Sequence, residues 1–139
     1  MLKKILKRAF QILLLAFIVI QFFRTAKNKS DVVSTNDIST KYAVPANIQT
    51  ILKTSCNDCH SNNTVYPWYA QVQPVTWWLN DHIKEGKKEL DFSQFANYSI
   101  RRQYKKLEEI NEQVKKNEMP LNSYLWVHKD ATLDNEQKL

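Results

Sequence analysis

The stretch Cys56-Asn57-Asp58-Cys59-His60 decides how this chain is interpreted. Two thiols separated by two residues and followed at once by His form the pattern C-x-x-C-H, which is the attachment signature of c-type haem. The spacing suits the chemistry because Cys56 and Cys59 can form thioether bonds to two vinyl groups on one edge of a porphyrin. His60 is then held beneath the iron as its proximal ligand. The motif therefore predicts one covalently attached haem c.

Three other uses of the two thiols are weaker predictions. A thioredoxin-like redox pair follows a strand in a βαβ unit, and no such pattern surrounds Cys56. A structural zinc site usually combines two closely spaced pairs of ligands, and neither His82 nor His128 supplies a second pair. A plain disulfide or two free thiols in an exported protein is the simplest alternative.

The second axial position of the iron has several candidate ligands. Met119 is the first, because Glu118-Met119-Pro120 follows the longest predicted helix and a thioether opposite His suits electron transfer. A single Met can also fill a gap in the core. His82 is the second candidate, although a His on an apolar helix face more commonly bonds a carbonyl or a propionate. His128 is the third, and an open position would indicate ligand sensing or peroxidase-like chemistry.

Helical periodicity predicts an all-α fold. The clearest helix covers residues 100–117, and a second helix is predicted from Pro74, with Gly86 near its end as a candidate C-cap. The apolar stripe of the first of these helices consists of Tyr104, Leu107, Ile110 and Val114. No stretch alternates for long enough to predict a strand, and a single Gly argues against an all-β fold.

Two groups of side chains are expected near a haem, each with an ordinary alternative. The aromatic residues of the middle of the chain are expected in the haem pocket or in the core, namely Tyr66, Trp68, Trp77 and Trp78. Arg101 and Arg102 are candidates for pairing with the haem propionates, although a solvated helix start explains them equally simply.

The N-terminal segment predicts a membrane anchor. An apolar run over residues 9–23 follows four basic side chains, a pattern shared by uncleaved anchors and cleaved signal peptides. No small-residue cleavage site ends the run, which favours the uncleaved anchor. We therefore expect a single transmembrane helix within residues 1–25, a flexible polar tether over 26–43 and the haem-binding domain over 44–139. The predicted location is the bacterial inner membrane, with a single pass and the domain in the periplasm.

The distribution of charge argues against a nucleic-acid partner. The formal net charge is +6, and all of this excess lies in residues 1–42, because residues 43–139 carry equal numbers of basic and acidic side chains. A nucleic-acid-binding domain keeps its positive charge on its folded part. The membrane and redox proteins are the expected partners, and the sequence does not identify the redox proteins.

The stretch from Ser55 to Leu121 resembles a known family of bacterial haem-binding domains. The matching residues are Cys56 to Asn62, Tyr66-Pro67-Trp68-Tyr69, Pro74 to Trp78 with His82, Glu85 and Gly86, then Phe92-Ser93 and Glu118 to Leu121, with Tyr124 and His128 beyond. The resemblance implies a monohaem, cytochrome c-like domain anchored at the membrane, with no defined substrate. It places Cys56 and Cys59 on the haem, His60 as proximal ligand and Met119 at the Met-Pro position of soluble c-type cytochromes.

The C-terminal end departs from that pattern. Cytochrome c-like folds generally close with a helix that packs on the first one, and only about twenty residues follow Met119. We expect a one-electron carrier rather than an enzyme. The alternative is a haem-based sensor or a peroxidase-like enzyme with an open or displaceable sixth ligand.

Overall fold

The computed structural model describes residues 1–30 and 32–138, and this part of the chain is helical without strands. The α-helices are α1 (Leu2–Ile20), α2 (Ile38–Lys41), α3 (Ala46–Ile51), α4 (Asn57–His60), α5 (Val75–Glu89), α6 (Ile100–Lys115) and α7 (Asn122–Leu125). Shorter turns of 3₁₀-helix cover Trp68–Gln71, Phe92–Asn97 and Lys129–Ala131, and a π-helical turn covers Leu52–Cys56. The prediction of an all-α fold is confirmed.

The chain forms two compact units. The first unit combines Met1–Lys27 with Val65–His82, and the second combines Asn28–Thr64 with the described chain from Ile83 onward. Residues of α5 up to His82 therefore belong to the first unit, and the later residues of that helix belong to the second.

The helix α1 corrects the prediction of a membrane anchor. It is 19 residues long and none of its residues is buried, but Lys3, Lys4, Lys7 and Arg8 fall inside it. The apolar part that is left is shorter than the ~20 residues that cross a bilayer. Among the described residues, no helix is both long and apolar enough to span a membrane. The predicted transmembrane helix and the single-pass inner-membrane location with a periplasmic domain are therefore wrong.

The first unit is held together by main-chain and amide hydrogen bonds. Gln21 donates from Nε2 to the carbonyl of Gln73 at 3.2 Å and accepts from the Gln73 amide at 2.9 Å. The side chain of Gln73 is almost fully buried and donates to the carbonyl of Phe23 at 3.0 Å, and Trp77 donates to the same carbonyl at 2.9 Å. These bonds fix the segment after α1 against the start of α5.

The second unit contains an aromatic core. Leu90, Phe92 and Phe95 are buried in contact with one another, and burial of side chains of this size stabilises a fold by ~1.5–3 kcal/mol each. The partly buried residues packed around them are Ile38, Leu52, Cys56, Tyr98 and Ile110. The core therefore reaches directly to the first cysteine of the C-x-x-C-H motif.

Residues 28–30 and 32–42 make defined contacts inside the second unit. The carbonyl of Asn28 accepts from the amide of Thr64 at 3.0 Å, and the carbonyl of Asn36 accepts from the amide of Ala96 at 2.9 Å. Tyr42 donates its hydroxyl proton to the buried Gln103 at 2.6 Å. The division of the chain at residues 25 and 43 stays a prediction.

The predicted helix over 100–117 is present as α6. Its N-cap is Ser99, whose hydroxyl accepts from the amide of Arg102 at 3.4 Å. The helix is followed by Asn117, which has a positive φ of 58°, a conformation that Asn tolerates better than most residues. The amides of Glu118 and Met119 then return to the carbonyl of Gln113 at 2.9 and 3.3 Å. This turn fixes the position of Met119.

Candidate haem-binding site

The two cysteines lie where two helical segments join. Cys56 ends the π-helical turn and Cys59 lies in α4, so both belong to continuous helical backbone. π-helical turns are rare and are found frequently at functional sites. Burial raises the pKa of both thiols to about 11, with smaller contributions from the charge of Cys59 on Cys56 and of Asp58 on Cys59. Both thiols are therefore protonated at neutral pH in the haem-free chain.

The imidazole of His60 is oriented by a main-chain carbonyl. Its Nδ1 atom lies 2.9 Å from the carbonyl oxygen of Leu90. Because a carbonyl only accepts hydrogen bonds, this contact assigns the ring proton to Nδ1 and leaves the lone pair of Nε2 free. Metal-binding His residues commonly use one nitrogen for the metal and donate from the other to a carbonyl or a carboxylate. The ring also packs against Phe92, with centroids 6.3 Å apart.

A cavity of about 310 Å³ lies beside His60. Its apolar wall consists of Leu90, Phe92, Ile110, Val114, Pro120 and Leu133. Cys56, His60 and Met119 also line it, and so does Ser55. The structure thus brings together three of the four residues that the sequence assigned to the haem.

Cys59 lies against α5 instead of lining the cavity. A Cβ atom added to Gly86 would fall 2.8 Å from the carbonyl oxygen of Cys59 and 3.2 Å from its Cβ. A side chain at position 86 would therefore clash with the motif. The prediction of Gly86 as a C-cap is wrong, because α5 continues through Glu89 and the glycine instead permits close packing on Cys59.

The helical backbone of the motif is fixed by hydrogen bonds that the sequence did not predict. Tyr124 donates its hydroxyl proton to the carboxylate of Asp58 at 2.9 Å, and Thr64 donates to the Asp58 carbonyl at 2.6 Å. Burial, followed by the charge of Asp58, raises the pKa of Tyr124 above its usual range. Ser55 donates to the carbonyl of Ala131 at 3.0 Å, which ties the C-terminal turn to the motif.

Four polar side chains complete the lining of the cavity, and three of these side chains are charged. They are Glu89, Lys106, Glu109 and Gln113. Lys106 is paired with Glu109 at 2.7 Å and lies 3.7 Å from Glu89. The hydrogen bond from Lys106 is the main cause that lowers the pKa of Glu109.

The arginines proposed as propionate partners lie elsewhere. Neither Arg101 nor Arg102 lines the cavity, and the guanidinium of Arg102 lies 4.1 Å from the ring centroid of Tyr98. Among the described residues that line the cavity, the lysine or arginine is Lys106, one turn further along α6. Sequence periodicity places Lys106 on α6 but does not show which other segments face it.

The two other histidines are engaged outside the cavity lining. His82 belongs to the first unit, where its Nδ1 lies 2.9 Å from the carbonyl oxygen of Trp78 and its ring packs on the indole at 4.3 Å. His128 stacks on Tyr124 with ring centroids 4.1 Å apart.

The aromatic residues that were expected near the haem lie in the first unit and do not line the cavity, namely Tyr66, Trp68, Trp77 and Trp78. The indole of Trp68 is 81% exposed.

The cavity and its donors fit a haem. Its volume lies at the lower end of the ~300–1,000 Å³ that is usual for sites of small molecules and cofactors. The walls are mostly apolar, one imidazole nitrogen is free, and a thiol and a thioether are present. A second cavity, lined by residues of the first unit such as Arg24 and Tyr66, is only about 40 Å³ and holds no more than a few waters.

Comparison with known proteins agrees with the chemistry of this cavity. No curated protein and no solved structure matches the chain significantly. A family model described as a haem-binding domain matches residues 15–139, which is most of the chain and includes every residue that lines the cavity. The chain therefore belongs to the haem-binding domain family.

Proposed function

We propose that this haem-binding protein carries one haem c, attached through Cys56 and Cys59, and that it acts as a one-electron carrier. The observation that supports this proposal best is the arrangement of Cys56, His60 and Met119 around one apolar cavity. The order of the motif, a long helix and a Met-Pro pair also supports a cytochrome c-like use of the second unit.

The attachment is a redox-neutral addition. Each thiol S–H would add across one vinyl double bond of the haem, with sulfur bonding to the inner carbon and hydrogen to the outer carbon. No oxidant is consumed. Cys56 lines the cavity, whereas Cys59 packs against Gly86 and is not among the lining residues.

The residues of the cavity have separate roles in the proposed carrier. The bound haem supplies a one-electron couple between ferrous and ferric iron. His60 would hold the iron through Nε2, and its hydrogen bond to the Leu90 carbonyl would fix the orientation of the ring. Met119 would supply a thioether, which favours the ferrous state, and apolar neighbours such as Phe92 would exclude water. No acid, base or nucleophile is required of the chain.

Covalent attachment is tested by extracting the full-length protein, purified from cells that make c-type cytochromes, with acidified acetone. The proposal predicts that the haem stays with the polypeptide, because thioether bonds survive denaturation. The Cys56→Ser and Cys59→Ser double variant should release its haem into the solvent. A wild-type protein that releases all of its haem would show that binding is not of the c type.

Electron transfer is tested at Met119. We expect the wild-type spectrum to be low-spin in both oxidation states, with the weak far-red band of a methionine–ferric iron bond. Met119→Ala should convert the ferric form to a high-spin spectrum and lower the reduction potential, because a thioether ligand raises it. His82→Ala is the matched control and should leave the spectrum unchanged. A high-spin ferric spectrum of the wild-type protein would instead favour the sensor or peroxidase-like alternative. That alternative also predicts that the reduced protein binds carbon monoxide or that the ferric protein reacts with peroxide.

A further inference from the structure

The charged groups at the cavity are unequal in their freedom to move. The side chain of Lys106 is 15% exposed, whereas those of Glu109 and Glu89 are 39% and 71% exposed. Among the described residues that line the cavity, Lys106 is the only lysine or arginine. Both carboxylates can therefore rotate into water, but the ammonium group is confined at the cavity.

The position of Lys106 along α6 separates it from Met119, the proposed second axial ligand, by more than one turn of lining residues. Lys106, Ile110 and Val114 follow one another at intervals of four residues, and all three line the cavity. Eight residues of helix span ~12 Å. Met119 comes after the C-terminal end of that stripe, whereas Lys106 forms its N-terminal end near the middle of α6.

A haem brings two propionate carboxylates, on the edge of the porphyrin opposite the vinyl groups. If thioether bonds hold the vinyl edge near Cys56, the propionate edge lies away from the motif. A confined cation such as Lys106 recognises a carboxylate more strongly than an exposed one does, since the attraction is screened less than between exposed groups.

We propose that Lys106 binds a haem propionate and that it exchanges its ion pair with Glu109 for this contact. The exchange costs little because Glu109 returns to water, and the incoming carboxylate replaces it on the same ammonium group. This assignment rests on the proposed function, since it needs a haem in the cavity. It makes Lys106 a positioning residue that sets the orientation of the porphyrin.

The test compares two probes on the full-length chain carrying Cys56→Ser and Cys59→Ser, which keeps binding reversible. The probes are haemin and haemin dimethyl ester, in which both propionates are neutral. Lys106→Met should weaken the binding of haemin by about tenfold, the equivalent of one charge-assisted contact, and leave the binding of the ester unchanged. Lys106→Arg should restore most of the affinity for haemin.

Two further variants make the comparison specific. Lys105→Met is the matched control, because Lys105 also pairs with Glu109, at 3.5 Å, but is 73% exposed and does not line the cavity. It should leave the binding of both probes unchanged. Glu109→Gln should strengthen the binding of haemin, because it removes the competing carboxylate.

Other outcomes overturn the proposal. Equal weakening of both probes by Lys106→Met would show that the lysine only supports the fold, and unchanged binding of haemin would place the propionates elsewhere. If wild-type protein carries no haem and the background chain binds neither probe, the proposed function itself fails, and the assignment of Lys106 fails with it. If the background chain binds haemin and Lys106→Met leaves that affinity unchanged, the propionate contact alone is refuted and the proposed function stands.

Discussion

The Nδ1–Leu90 contact of His60 is the residue-scale feature that orients the imidazole proposed as the proximal ligand. The contact uses a main-chain carbonyl, so the ring is oriented by the fold itself and no side-chain substitution at residue 90 removes the acceptor. The tautomer that it selects leaves Nε2 available. The same carbonyl belongs to a buried leucine of the core, and this couples the orientation of the imidazole to the packing of Phe92 and Phe95.

The thiols give a prediction at the same scale. Because burial raises the pKa of Cys56 and Cys59 to about 11, the thiolate fraction at pH 7.5 is lower than for an ordinary thiol of pKa ~8.5 by about two orders of magnitude. In the folded, haem-free chain, alkylation by iodoacetamide should therefore be slow at pH 7.5 and should accelerate as the pH rises towards 11. Mass spectrometry of quenched samples measures the rate.

The unfolded chain is the control for that experiment. In concentrated urea the thiols lose their burial, so their pKa returns towards the ordinary value and alkylation at pH 7.5 should become fast. Equal rates for the folded and unfolded chains would contradict the burial of the two thiols.

At the scale of the element, the motif depends on the packing of α5. The approach of Gly86 to Cys59 leaves no room for a methyl group, since the added Cβ would lie 2.8 Å from a backbone oxygen. Backbone atoms cannot move aside as a flexible side chain can. The only glycine of the chain therefore marks a helix-to-helix contact at the site.

Gly86→Ala should destabilise the protein. Overpacking of this kind costs ~1–3 kcal/mol, and the better helix propensity of alanine offsets about 1 kcal/mol of that cost. We expect a net loss of about 1 kcal/mol in urea unfolding followed by circular dichroism, together with weaker haem binding because the motif is displaced. Lys84→Ala, at an exposed position of α5, is the control and should change neither quantity. An unchanged or higher stability for Gly86→Ala would contradict the close contact.

At the scale of the whole molecule, sequence periodicity and the motif predicted much of the second unit. The helix over 100–117 was foreseen because its apolar stripe has helical spacing, and α6 covers Ile100–Lys115. The roles proposed for Cys56 and His60 follow from local spacing alone. Lys106, Gly86 and the carbonyl of Leu90 could not be assigned in this way, because each acts through a segment distant in the chain.

The N-terminal segment shows the opposite limit of sequence reasoning. A hydrophobic run after basic residues predicted a spanning helix, but in α1 the basic residues are part of the helix and shorten its apolar part. At the other end, the described chain forms no α-helix after Leu125, and Ala131 and Leu133 are buried in turns and irregular backbone. In the described chain, the segment after Leu125 contributes Leu133 to the wall of the cavity. The closing helix of the resembled cytochrome c-like folds is expected at this place in the chain.

Covalent attachment of a single haem through both cysteines is the central claim of this account. It is tested most directly by the mass of the intact, denatured protein purified from cells that make c-type cytochromes. The predicted mass is that of the chain plus one haem. Cys56→Ser and Cys59→Ser should each retain at most one thioether bond. The double variant should have the mass of the bare chain. A wild-type mass equal to that of the bare chain would contradict the claim.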